Sequence, residues 1–122
     1  MKMNLGMVLA GAVGLFGCGT VADITNRQAD AVTAAVNESC DRYEACGQIG
    51  PDKKYATRDA CKAENQDFWN GRWDAADCEG HIVGASLDVC LDSIKTTSCD
   101  SILDQLDTAY NRCAKSDVCG TN

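Results

Sequence analysis

The chain has 122 residues, enough for one domain, with 24% charged residues, 6% aromatics and a formal net charge of −7. That acidity weighs against nucleic acid as a partner, because phosphates need cationic contacts. It also opposes adhesion to anionic head groups, and by itself it accounts for solubility. Nine cysteines, an odd number, leave one over if the rest pair.

The chain starts with Met1 to Asn4, which carries one positive charge, Lys2. The run Leu5 to Phe16, "LGMVLAGAVGLF", is uncharged and ends at Gly17, directly before Cys18. About twelve residues is the length of a signal-peptide core and falls short of the ~20 that cross a bilayer. The segment Leu15-Phe16-Gly17-Cys18 resembles the bacterial lipoprotein signal, an aliphatic residue and two small positions before a cysteine, with Phe16 bulkier than usual. The resemblance implies a diacylglycerol thioether on Cys18, cleavage before it, and often a third acyl chain on the new amino group. That covalent lipid is the one cofactor expected. One acyl chain binds a membrane marginally, whereas two or three anchor firmly at ~0.8 kcal/mol per buried methylene. Gly19 stands where an aspartate would retain such proteins in an inner membrane, so the resemblance implies an outer-membrane location, facing the periplasm or the cell surface. The expected organisation is a signal peptide over 1–17, a lipidated anchor and short linker over 18–24, and a cysteine-rich helical domain over 25–122. Six residues separate Cys18 from Thr25. Fully extended they reach about 20 Å, which keeps the domain close to its membrane.

Residues 25 to 46 read as a long helix. Thr25 and Gln28 fit a capping box, and Ala29, Val32, Val36, Cys40, Tyr43 and Cys46 recur at helical spacing. Gly47 follows as a left-handed stop. "GQIGPDKKY" is a loop, punctuated by Gly47, Gly50 and the only proline, Pro51. Thr57 caps a second helix that carries Cys61 and Phe68 and ends at Asn70-Gly71. "RWDAADCEGH" reads as irregular. A third helix carries Leu87, Cys90, Leu91 and Ile94; a fourth, capped by Asp100, carries Ile102, Leu106, Ala109, Tyr110 and Cys113. No stretch alternates as a strand would. The fold class is all-α: a small four-helix domain whose thin core needs disulfide staples.

With Cys18 set aside, Cys40, Cys46, Cys61, Cys78, Cys90, Cys99, Cys113 and Cys119 remain, and an exported chain should join them in four bridges. If 40 to 46 is continuous helix, Cys40 and Cys46 lie ~9 Å apart along its axis, too far to bond each other. Cys46–Cys61 is the favoured pair, across a helical hairpin. Short loops then favour Cys40–Cys78, Cys90–Cys99 and Cys113–Cys119. "CDRYEACG" and "CAKSDVCG" echo each other in cysteine spacing and final glycine, which falls short of a repeat architecture.

No Cys-x-x-Cys is present, which removes the usual redox and zinc motifs. Ser86, Ser93 and Ser101 lie in no nucleophile elbow. Two stretches carry candidate sites. Phe68, Trp69, Arg72 and Trp73 combine aromatics with an arginine, the composition of a partner surface and equally of a core. Asp74, Asp77, Glu79 and His81 hold carboxylates beside the only histidine, a candidate metal or ligand loop that matches no calcium signature.

Beyond the signal, residues 39 to 120 resemble a family of small cysteine-rich lipoproteins, mainly myxobacterial, labelled natural product biosynthesis lipoproteins. The match rests on "CDRYEACGQIG", "KKYATRDAC", "DCEGHI", "LDVCLDSI", Cys99, Cys113 and Cys119. The resemblance implies an exported, membrane-anchored protein and an association with natural product biosynthesis or export, without catalytic residues. The expected role is a non-catalytic interaction module that meets the membrane through its lipid and an unidentified protein through its surface. The second reading is a small metal- or ligand-binding module centred on residues 74 to 81.

Overall fold

A computed structural model describes residues 27–100 and 111–120. Among these residues there are five helices and no strand: α1 Gln28–Ala45, α2 Arg58–Arg72, α3 Ala75–Cys78, α4 Gly84–Thr96 and α5 Lys115–Val118. The all-α, disulfide-stapled architecture agrees with the sequence pattern. The expected fourth helix over Ile102 to Tyr110 lies outside the described residues, as do Cys18 and Thr25.

The organising element is α1. Ala31, Val32, Ala35, Val36, Ser39, Cys40 and Tyr43 form its buried stripe. Three of these, at four-residue spacing, are small (Ala31, Ala35 and Ser39), which lets a neighbouring helix carry bulk. That neighbour is α2, whose inward line is Cys61, Asn65 and Trp69, continued by Trp73 just past its end. The two helices run antiparallel: Cys61 bonds Cys40, Trp69 Nε1 donates to Ser39 Oγ at 3.3 Å, and Trp73 lies beside Gln28. On its other flank α1 packs against α4, which buries Leu87, Cys90 and Ile94 at the i, i+3, i+7 spacing of one helix face.

The helix ends show local chemistry at work. At the C-terminus of α1 the Gln48 N–H bonds the Tyr43 carbonyl at 2.8 Å, and the Gly47 N–H bonds that of Glu44 at 3.0 Å. This is a Schellman stop, and Gly47 supplies the φ of +72° it requires. Thr57 Oγ1 caps α2 by accepting from Ala60 N at 3.1 Å. Three boundaries differ from expectation. The first helix starts at Gln28, behind Arg27 and with no side-chain cap of its own. Gln28 is the first helical residue behind Arg27, and its Nε2 donates to Asn70 Oδ1 and the Trp73 carbonyl. The second helix runs through Asn70 and Gly71 to Arg72, because this places Trp73 one turn after Trp69 against the core. Finally, the stretch read as irregular contains α3, whose Cys78 N–H bonds the Asp74 carbonyl at 2.9 Å.

All eight remaining cysteines are paired, as Cys40–Cys61, Cys46–Cys99, Cys78–Cys119 and Cys90–Cys113, with Cα separations of 6.0, 5.3, 4.9 and 4.8 Å. None of the four expected pairs forms, including the favoured Cys46–Cys61. Arg58, at the start of α2, pairs with Asp41 and Glu44. Cys61, nearly one turn further in, therefore lies beside Cys40 on the buried stripe. Cys46 sits past the end of that stripe and reaches across to Cys99, beyond α4. Cys90 is in mid-helix, and α4 continues to Thr96, which carries the chain away from it before Cys99. Helix α5 intervenes between Cys113 and Cys119 and sends Cys119 to Cys78 rather than back to Cys113.

Candidate functional site

The segment from Trp69 to His81 carries both candidate sites read from the sequence, and the structure assigns it other work. Trp69 is 1% exposed and Trp73 0%. Their rings stack at 4.7 Å with a 40° tilt, and Phe68 meets Trp69 edge-on at 4.9 Å. Trp73 Nε1 donates to the Cys113 carbonyl at 2.9 Å, which satisfies the indole and ties the C-terminal part to α2. Arg72 is half-buried. The candidate partner surface Trp69–Arg72–Trp73 is thus core: in a domain with so few large side chains, these rings are what the helices close over.

The four polar residues that follow do not converge. Lys115 Nζ sits 3.1 Å from Asp74 Oδ1 and 2.6 Å from Asp77 Oδ2. The Lys115 ammonium bridges these two carboxylates, and its hydrogen bond holds the Asp74 carboxyl below the usual carboxylate range. Those same two carboxylates raise the Lys115 pKa. Glu79 points elsewhere: its Oε1 accepts from the Gln28 N–H at 3.1 Å. It supplies from a distant turn the anionic cap that α1 lacks, at the positive end of the helix dipole. His81 is exposed. Among the described residues no group of three His, Cys, Asp or Glu side chains could hold a metal ion. The 74–81 cluster is a set of helix-end ties.

A polar inclusion that the sequence reading missed lies under α1 and α2. Asn65 is 1% exposed, and its Nδ2 donates to the Cys61 carbonyl at 2.9 Å and to Tyr55 Oη at 3.3 Å. The same nitrogen lies 3.5 Å from Cys61 Sγ. Tyr55 reaches this point because the 47–57 loop folds back, with Gly50 N bonded to the Tyr55 carbonyl and Tyr55 N to that of Gln48. Tyr43 and Tyr55 meet edge-to-face at 5.1 Å. Burial pushes the Tyr43 hydroxyl well above the ordinary tyrosine range and raises that of Tyr55 as well. The inclusion holds the loop on the helical hairpin. Asn65 could have been flagged by its place in the line Cys61, Asn65, Trp69, where a polar residue interrupts an inward face.

Two concavities are formed by the described residues. One, of about 230 Å³, is lined by Ala85, Ser86 and Val89 of α4 with Asn111, Arg112 and Asp117; Val89 is 48% exposed. The other, of about 410 Å³, is lined by Glu38, Asp41, Arg42 and Ala45 of α1 with Lys95 of α4. Beside the second, Arg42 Nε donates to the Thr97 carbonyl at 2.7 Å.

Together these features define a small, exclusively helical class of domain among the described residues, in which four bridges and a pair of tryptophans do most of the holding. Residues 40–121 match the model of a family described as "Family of unknown function (DUF6184)". The chain belongs to that family. No curated protein and no solved structure matches it.

Proposed function

We propose that the chain is an exported lipoprotein, held at a membrane by acyl chains on Cys18, and that its disulfide-stapled domain acts there as a non-catalytic interaction module. The observation that carries this reading is the pairing of the cysteines. The eight from Cys40 to Cys119 are consumed within the domain, so the ninth is the one that follows the apolar run Leu5–Phe16 and Gly17. A cysteine left over by the four bridges, placed directly behind a signal-like segment, fits lipid attachment. An oxidised framework fits export. An outer-membrane location, facing the periplasm or cell surface, accords with Gly19 after the anchor. The association with natural product biosynthesis or export rests on the resemblance in cysteine spacing.

The absence of a catalytic role is part of the same proposal. Among the described residues, the carboxylates around His81 are engaged with Lys115 and Gln28 and do not orient the imidazole. Contact with a protein partner would fall on the outer faces of α1 and α4, since the tryptophans are internal. The experiment is metabolic labelling with palmitate in wild type and Cys18→Ser. The wild type should take up label and be shortened by 17 residues, and the variant should do neither. A wild type without label would end the lipoprotein reading. Co-purification from native membranes would then identify the partner.

A further inference from the structure

The four bridges differ in access. Cys40, Cys61, Cys78, Cys90 and Cys113 are 0% exposed and Cys119 is 2%. The fourth bridge is different: Cys46 is half-buried and Cys99 is exposed. Thiol–disulfide exchange requires a thiolate to reach a sulfur from outside. Of the four bridges, only Cys46–Cys99 offers one in the folded domain.

Its position adds a second argument. The bridge joins the end of α1 to the residues just past α4, and both helices have other fastenings. Cys40–Cys61 holds α1 to α2, and Cys90–Cys113 holds α4. The hydrogen bond from Arg42 to the Thr97 carbonyl crosses the same gap as the bridge. Opening Cys46–Cys99 therefore leaves the helices packed. The 410 Å³ concavity adjoins it, since Ala45 precedes Cys46 and Arg42 bonds a residue two before Cys99. Arg42 and Lys95 line it together with Glu38 and Asp41, so the charges there are balanced and do not bar an approaching thiolate.

We propose that Cys46–Cys99 is a thiol-exchange site on the folded domain, at which a small-molecule thiol forms a mixed disulfide while the other three bridges stay closed. The thiolate of the incoming molecule attacks Sγ of Cys99, the more exposed of the two residues. A new S–S bond forms to Cys99 as the Cys46–Cys99 bond breaks. The electron pair leaves on Cys46 Sγ, which takes a proton from solvent. The products are a thiolated Cys99 and a free thiol at Cys46. The incoming sulfur and Cys46 exchange places, and no external oxidant or reductant is consumed.

The test uses the full-length protein in detergent with reduced glutathione as the probe, quenched with N-ethylmaleimide and mapped by peptide mass. Cys18 lies on a separate peptide and is followed independently. Glutathione should appear on Cys99 and maleimide on Cys46 at least about tenfold faster than either label reaches the other six cysteines, because exchange follows access. Helical circular dichroism should stay unchanged as the adduct forms. Comparable labelling of any buried bridge, an all-or-none opening of the four, or no adduct under conditions that open an exposed control disulfide would overturn the proposal. So would loss of helicity in step with the adduct.

Discussion

Trp73→Ala should remove close to half of the domain's stability. Trp73 is 0% exposed, so its whole side chain returns to water on unfolding. A buried aromatic of this size covers roughly 150–250 Å², worth about 4–6 kcal/mol at ~25 cal/mol per Å². The substitution also strips the Cys113 carbonyl of its Nε1 donor, for about 1 kcal/mol more. Partial collapse of the cavity gives some of this back, and large aromatic truncations cost about 3–5 kcal/mol in practice. We expect about 4 kcal/mol, against a total of ~5–15 kcal/mol for a small domain. Trp73→Phe keeps a ring against Trp69 and loses mainly the hydrogen bond, so it should cost about 1–2 kcal/mol. The assay is guanidinium unfolding of the oxidised protein, followed by circular dichroism at 222 nm. A Trp73→Ala loss below about 1.5 kcal/mol, far under the usual range, would mean the indole is not core and would return it to the surface reading.

Thr57→Ala removes the cap at Ala60 N and should cost about 1 kcal/mol in the same assay, while Thr57→Ser should keep most of it. Alkaline pH should unfold the domain early. Burial raises the folded-state pKa of Tyr43 above the ordinary 10.0, so the stability it contributes is complete below pH 10 and is lost as pH rises toward the folded value. Absorbance at 295 nm should show Tyr43 and Tyr55 silent until helicity collapses; both ionising reversibly near pH 10 with helices intact would contradict this. Complete reduction should abolish cooperative melting, because the three inaccessible bridges and the exposed one each remove about 3–4 kcal/mol of unfolded-state freedom by the chain-entropy account. A reduced protein melting cooperatively near the oxidised midpoint would show that the helical core suffices.

Much of the fold is legible in local sequence. The Gly47 stop, the Thr57 cap, the loop around Pro51 and the inward face of α4 are each set by a few neighbouring residues, and each is where the pattern puts it. The disulfide pairing is not local. It depends on which helix face each cysteine occupies once α1 and α2 pack antiparallel, and that register is fixed by contacts such as Trp69–Ser39 and Arg58–Asp41. The start of α1 is non-local for a similar reason: Gln28 finds Asn70 and Trp73, and Glu79 caps α1 from 51 residues away. The candidate sites were misleading because their composition is ambiguous. Tryptophans beside an arginine, and carboxylates beside a histidine, are found in cores and helix ties as readily as in binding sites. What separates the cases is the position of Lys115 and Cys113, some forty residues distant in sequence.

The most direct measurement of the central claim is the intact mass of the protein isolated from membranes, with free thiols alkylated and no reductant added. The account predicts a chain beginning at an acylated Cys18, no alkyl adduct, and a mass eight hydrogens below that of the same lipidated chain fully reduced. An unacylated amino terminus, or an adduct on two or more of the cysteines from Cys40 to Cys119, would contradict it.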